Sequence, residues 1–64
     1  MAAKLEKIYN IIEEKLGNNG RLKFAQLTKV PKTQALEMED SPEMVAVFKR
    51  IASEMLGKNI DELQ

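Results

Sequence analysis

Helical spacing of apolar residues is the feature that most constrains this chain. Near the N-terminus, large apolar side chains recur every three or four positions, at Leu5, Ile8, Ile12 and Leu16. This spacing places them along one face of a helix with 3.6 residues per turn. We therefore predict a first helix over residues 3–16. Gly17 is suited to end it, and the Asn-Asn-Gly sequence at 18–20 is typical of a loop.

The second half of the chain carries an equally clear helix with a marked beginning and end. Ser41 is a preferred N-cap residue, Pro42 fits the first helical position, and Glu43 complements the positive end of the helix dipole. A stripe of apolar residues follows at helical spacing, at Val45, Phe48, Ile51 and Met55. We predict a helix that begins at Pro42, after the Ser41 cap, and is ended by Gly57.

Two shorter helices are predicted between these, over residues 21–28 and 31–38. Asn19 or Gly20 would cap the first, and Pro31 would take the first position of the second. A strand through residues 22–27 is the alternative, but the chain offers no second strand to pair with it. Asn59 and Glu62 resemble a capping box that starts a last turn. The predicted fold is all-α, a compact bundle of four to five short helices in one domain.

The composition excludes several classes of function. The 64 residues include no cysteine and no histidine, which removes disulfides, His- or Cys-based zinc sites and histidine-dependent catalytic triads. The fold must therefore rest on apolar packing. We expect neither enzymatic activity nor a cofactor. The chain contains no apolar run that could span a membrane and no secretory signal, so we expect a cytoplasmic protein without a membrane partner.

The charges are segregated along the chain although the formal net charge is zero. Residues 1–35 carry a net charge of +4 and residues 36–64 a net charge of −4. The segment 21–34 holds four cations and no acid. These cations are Arg21, Lys23, Lys29 and Lys32. A basic pair of helices joined by a tight turn can place a helix end against a phosphate backbone.

The pattern of the turn resembles the helix-turn-helix of phage Cro/repressor-type (Xre-like) DNA-binding domains. Ala25 takes the small position of the first helix, Lys29 the turn position and Val30 the apolar position after it, while Ala35 and Met38 take the buried positions of the second helix. The family usually has glycine where Lys29 stands. The resemblance covers residues 21–63, because the closing helices with their Ile-Ala pair and Asp-Glu-Leu ending are also similar.

The resemblance implies a helix-turn-helix at about residues 21–38 whose second helix enters the major groove of double-stranded DNA. Four side chains of that helix would face the groove, namely Lys32, Thr33, Gln34 and Glu37. Gln34 would pair with adenine, and Thr33 would touch a thymine methyl group or a phosphate. Arg21 and Lys23 would contact the phosphate backbone, and Lys29 completes the DNA-binding set.

The resemblance also implies a homodimer on two half-sites, since one unit of this size makes few contacts. The dimer surface would come from the last helices, at Met55, Leu56, Ile60 and Leu63, unless these residues complete the core. The main alternative is an interaction module that binds another protein's helix and no nucleic acid. Leu27, expected to be exposed, favours this alternative.

Overall fold

A computed structural model describes residues 3–60 and shows an all-helical fold. Three α-helices follow one another in the order α1 (Ala3–Thr28), α2 (Lys32–Glu37) and α3 (Pro42–Leu56). No strand occurs within residues 3–60, so residues 22–27 are helical and not extended. The prediction of four to five helices counted residues 3–16 and 21–28 as two separate helices. In the structure they belong to the two halves of α1. Glu62 of the predicted last turn lies outside the described residues.

Gly17 bends α1 sharply and divides it into an N-terminal half (residues 3–16) and a C-terminal half (residues 18–28). Its backbone has φ 74° and ψ −165°, a combination open almost only to glycine. Helical geometry resumes directly afterwards, so the loop predicted at residues 18–20 is wrong. One glycine changes the chain direction, and no further loop residue is needed.

Gly20 allows the two halves of α1 to approach closely just after the bend. A Cβ atom built on Gly20 would lie 2.2 Å from the Cβ atom of Leu16. That distance is far shorter than ordinary van der Waals contact between carbon atoms. Gly20 is consequently buried although it is expected to be a loop residue.

An aromatic cluster joins the three main segments of the fold. Tyr9 comes from the N-terminal half of α1, Phe24 from its C-terminal half and Phe48 from α3. Their ring centroids lie 4.9, 5.2 and 5.7 Å apart, and each pair meets edge to face, the geometry that aromatic rings favour. All three residues are fully buried, which confirms that Phe48, on the predicted apolar stripe of α3, faces the core.

The remaining core follows the predicted stripes in part: Leu5, Ile8 and Ile12 are buried, whereas Val45, Ile51 and Met55 are half-buried. The buried apolar residues around the aromatic cluster are Leu5, Ile8, Ile11, Ile12, Val30, Ala35, Ala52 and Ile60. Leu16, placed on the first stripe, is instead 39% exposed. It lies directly before the bend at Gly17.

The caps of α3 are confirmed in atomic detail. The Ser41 hydroxyl accepts a hydrogen bond from the Met44 amide at 3.1 Å, Pro42 opens the helix, and Gly57 ends it in the left-handed conformation with φ 70°. A further cap comes from a distant residue. The Asp40 carboxylate accepts hydrogen bonds from the amides of Lys4 and Leu5 at 3.1–3.3 Å, which satisfies otherwise unpaired donors at the start of α1.

Candidate functional site

The turn between α1 and α2 holds its shape through local hydrogen bonds and one left-handed residue. Lys29 has φ 62°, a conformation that costs a non-glycine residue roughly 1–2 kcal/mol. The Thr28 hydroxyl donates to the Phe24 carbonyl at 2.8 Å and accepts from the Val30 amide at 3.3 Å. Pro31 is the N-cap of α2 and not its first residue, because its backbone is extended and the helix begins at Lys32.

The side chains assigned to buried positions in this region are at least partly covered. Val30 and Ala35 are buried, while Ala25 and Met38 are half-buried. Ala35 is completely inaccessible, so α2 packs on α1 through its small side chain. The Tyr9 hydroxyl donates a hydrogen bond to the Val30 carbonyl, and this contact fixes the turn to the N-terminal half of α1.

The outer face of α2 is open to solvent. Thr33, Gln34 and Glu37 are exposed, as the predicted groove-facing positions require. Leu36 on the same helix is 38% exposed. The helix has only six residues, so its polar surface is limited to little more than one turn.

Two of the predicted cations meet at an acidic residue that the sequence did not single out. The Lys32 ammonium lies 2.5 Å from Oε1 of Glu13, and Nε of Arg21 lies 3.9 Å from the same oxygen. All three side chains are about 25–33% exposed. Glu13 therefore offsets part of the positive charge at the start of α2. No local pattern could have indicated this, since Glu13 and Lys32 are 19 positions apart.

The other two predicted cations are exposed. Lys29 lies at the turn itself, next to α2 in sequence. Lys23 lines an open groove together with Leu16 and Met55. Arg21 and Lys32 thus lie beside Glu13. Thr33, Gln34 and Glu37 lie on the exposed outer face of α2. Lys23 also lines a second surface, the open groove.

The residues predicted for a dimer surface are divided between core and surface. Ile60 is 1% exposed and belongs to the core, while Met55 and Leu56 are half-buried. Leu63 lies outside the described residues. Two other leucines are prominent on the C-terminal half of α1, where Leu22 is 51% and Leu27 50% exposed. Leu27 is thus exposed, as expected.

Other kinds of site find no support in the part of the chain that the structure describes. No three acidic residues there are grouped so that they could hold a metal ion. None of the described helices combines the length and the apolarity that crossing a membrane requires. Comparisons with protein-family models, curated proteins and solved structures give no match.

Proposed function

We propose that this chain is a small DNA-binding protein that contacts duplex DNA with α2 and the turn before it, in the manner of a helix-turn-helix. The observation that carries the proposal is the backbone of Lys29. It adopts the left-handed conformation at the position where the Cro/repressor pattern usually has glycine. A lysine accepts this conformation only at a cost in free energy, so the surrounding turn must impose it.

The burial pattern around the turn adds support. Val30 and Ala35 are buried and Thr33 and Gln34 are exposed, which is the division between inner and outer faces that a recognition helix requires. Gln34 would read adenine through its amide, and Thr33 would contact a thymine methyl group or a phosphate. Glu37 would have to accept a hydrogen bond from cytosine, because its charge repels phosphate.

The phosphate contacts would come from the cations of the segment 21–32. Lys29 is exposed and available. Lys32 and Arg21 lie close to Glu13, so DNA would have to compete with this carboxylate for them. A homodimer on two half-sites would supply the additional contacts that a single unit lacks.

An amide NMR titration with mixed-sequence duplex DNA, at low and at physiological salt, tests the proposal. We expect salt-sensitive shifts concentrated in residues 21–37. Gln34→Ala should lose about 1–3 kcal/mol of affinity on a preferred site and relax its sequence choice. Arg21→Ala should weaken all sequences alike and lower the salt slope by about 1. Lys32→Ala should weaken binding too.

Lys7→Ala is the matched control, because Lys7 is an exposed lysine of α1 outside the proposed surface. Its removal changes the net charge by the same amount as Arg21→Ala. Equal losses for the two variants would mean that only overall charge matters. An absence of shifts even at low salt would remove nucleic acid from the function.

The exposed leucines favour a second function, the binding of another protein's helix. Leu22 and Leu27 are each about half exposed on the C-terminal half of α1, and DNA phosphates offer no partner for them. A helical peptide that shifts the amides around Leu27, in a protein on which DNA has no effect, would support this function instead.

A further inference from the structure

A basic groove lies beside the bend of α1. On one side of Leu16 it is lined by Asn19, Gly20, Lys23 and Met55, and on the other by Lys15, Leu56 and Lys58. The two parts hold about 300 and 240 Å³ and are open to solvent. Leu16 lines both parts, and we call the two parts on either side of it the bend groove.

The floor of the bend groove is apolar. Leu16 is 39% exposed, and Met55 and Leu56 are half-buried at the end of α3. Gly20 contributes no side chain and packs closely against Leu16. Methionine and leucine side chains of this kind adapt to the apolar face of a bound helix.

The rim of the bend groove is positive. Lys15, Lys23 and Lys58 are all exposed, and none of the lining residues in the described chain is acidic. None of these three ammonium groups forms an ion pair with another described residue. The exposed carboxylates Glu14 and Glu54 are the sequence neighbours of Lys15 and Met55 but do not line the groove.

We propose that the bend groove binds an acidic amphipathic helix of a partner protein. Its apolar residues would cover Leu16, Met55 and Leu56, and its flanking carboxylates would face the three lysines. Apolar burial would supply affinity, while the lysines would set the orientation and speed the encounter. The apolar floor favours a helix over nucleic acid, because a sugar-phosphate backbone has no apolar group that would cover the floor. The inference does not depend on the proposed DNA binding.

The probe is a synthetic helical peptide with leucines on one face and glutamates beside them. Two control peptides accompany it, one with the same residues in an order that gives no apolar face and one with lysines in place of the glutamates. We expect the acidic amphipathic peptide alone to shift the amides of Leu16, Gly20, Met55 and Leu56. Binding that is equal for the scrambled peptide, or no binding at millimolar peptide, overturns the proposal.

Matched variants locate the peptide on the protein. Lys15→Glu with Lys58→Glu should weaken its binding at least about fivefold, because each reversal replaces an attraction between exposed charges by a repulsion. Lys4→Glu with Lys7→Glu makes the same charge change elsewhere on α1 and should have little effect. Neither pair belongs to the residues proposed for DNA, so DNA binding can fail while peptide binding persists.

The apolar contribution has its own pair of variants. Leu16→Ala should weaken binding of the peptide by roughly tenfold, whereas Leu36→Ala, which removes an equally exposed leucine of α2 outside the bend groove, should not. Circular dichroism establishes that both variants are folded. Equal effects of the two variants contradict the proposal, as does duplex DNA that shifts the groove amides when the acidic peptide does not.

Discussion

At the residue scale, Glu13 is the side chain that most lowers the positive charge of the proposed DNA-binding surface. The sequence presents four cations between residues 21 and 34 with no acid among them. In the folded chain, one carboxylate from the preceding helical half lies beside two of these cations. An ion pair that is about one-third exposed contributes about 0–1 kcal/mol to stability. Its larger effect is on the charge that an incoming anion meets.

The first prediction therefore concerns Glu13→Gln. The substitution should raise the affinity for mixed-sequence duplex DNA severalfold and steepen the dependence of log K on log salt by about 1, because Lys32 and Arg21 no longer share their charge with a carboxylate. The measurement is fluorescence anisotropy of labelled DNA over a range of salt concentrations.

Glu14→Gln is the control for Glu13→Gln, since Glu14 is the exposed neighbour and its substitution changes the net charge equally. An increase in affinity that is the same for both variants would reflect net charge alone. No change for either would mean that Lys32 and Arg21 lie off the surface that DNA contacts.

At the scale of the element, α1 shows how one residue determines the architecture. The bend at Gly17 returns the C-terminal half of α1 to the N-terminal half, and the Tyr9 and Phe24 rings meet across it at 4.9 Å. The bend also creates the groove beside Leu16. A straight helix of 26 residues would span about 39 Å, more than the longest dimension of the molecule, 26 Å.

The second prediction is that Gly17→Ala destabilises the protein by about 1–3 kcal/mol, because alanine is strained at φ 74° and ψ −165°. The midpoint of urea denaturation measures the loss. Asn18→Ala changes the next residue, which is exposed and helical, and should be neutral or slightly stabilising. A Gly17→Ala variant as stable as Asn18→Ala would show that the chain does not need this bend.

At the scale of the whole molecule, a single aromatic cluster connects all the parts of a very small core. A domain of this size buries only about 60% of the surface that its unfolded chain exposes. Tyr9 occupies the centre, with its ring against Phe24 and Phe48 and its hydroxyl donating to the Val30 carbonyl. Burial raises the pKa of the Tyr9 phenol above its usual value, while the Thr28 hydroxyl and the Arg21 charge oppose the increase.

The third prediction follows from this raised pKa. Above about pH 10, where an unfolded tyrosine loses its proton, the native state holds the Tyr9 proton more tightly than the unfolded state does. Stability from this group is thus complete below that pH and is lost as pH rises through the higher native pKa. Denaturation experiments across this range should show the decline, and it should be smaller in Tyr9→Phe.

The chain has a single tyrosine, so the ultraviolet absorbance of phenolate reports on Tyr9 alone. The absorbance titration of the native protein should have its midpoint above that of the protein in denaturant. A native midpoint at or below the denatured one would contradict the burial of the phenol. Tyr9→Phe also removes a buried hydrogen bond, at a cost of about 0.5–1.5 kcal/mol.

Features that depend on neighbouring residues were predictable from the sequence, and features that depend on tertiary contacts were not. The helical stripes of α1 and α3, the Ser41 cap and the Gly57 end were predictable because each depends on residues within one or two turns. The conformation of residues 18–20 was not predictable, because Asn-Asn-Gly is compatible with either a loop or a helical turn. Packing of Gly20 against Leu16 favours the helical turn, and that contact forms only once the chain has bent.

The sequence by itself determined that this protein is built of helices, where α3 begins and ends, and that Phe48 faces the core. Periodicity and capping are local properties, and they act in the same way in any context. Only the tertiary structure decided that Glu13 meets Lys32, that Asp40 caps α1, and that Leu16 lies in an open basic groove. These contacts join residues that are far apart in sequence, and their geometry follows from how the two halves of α1 and α3 pack together.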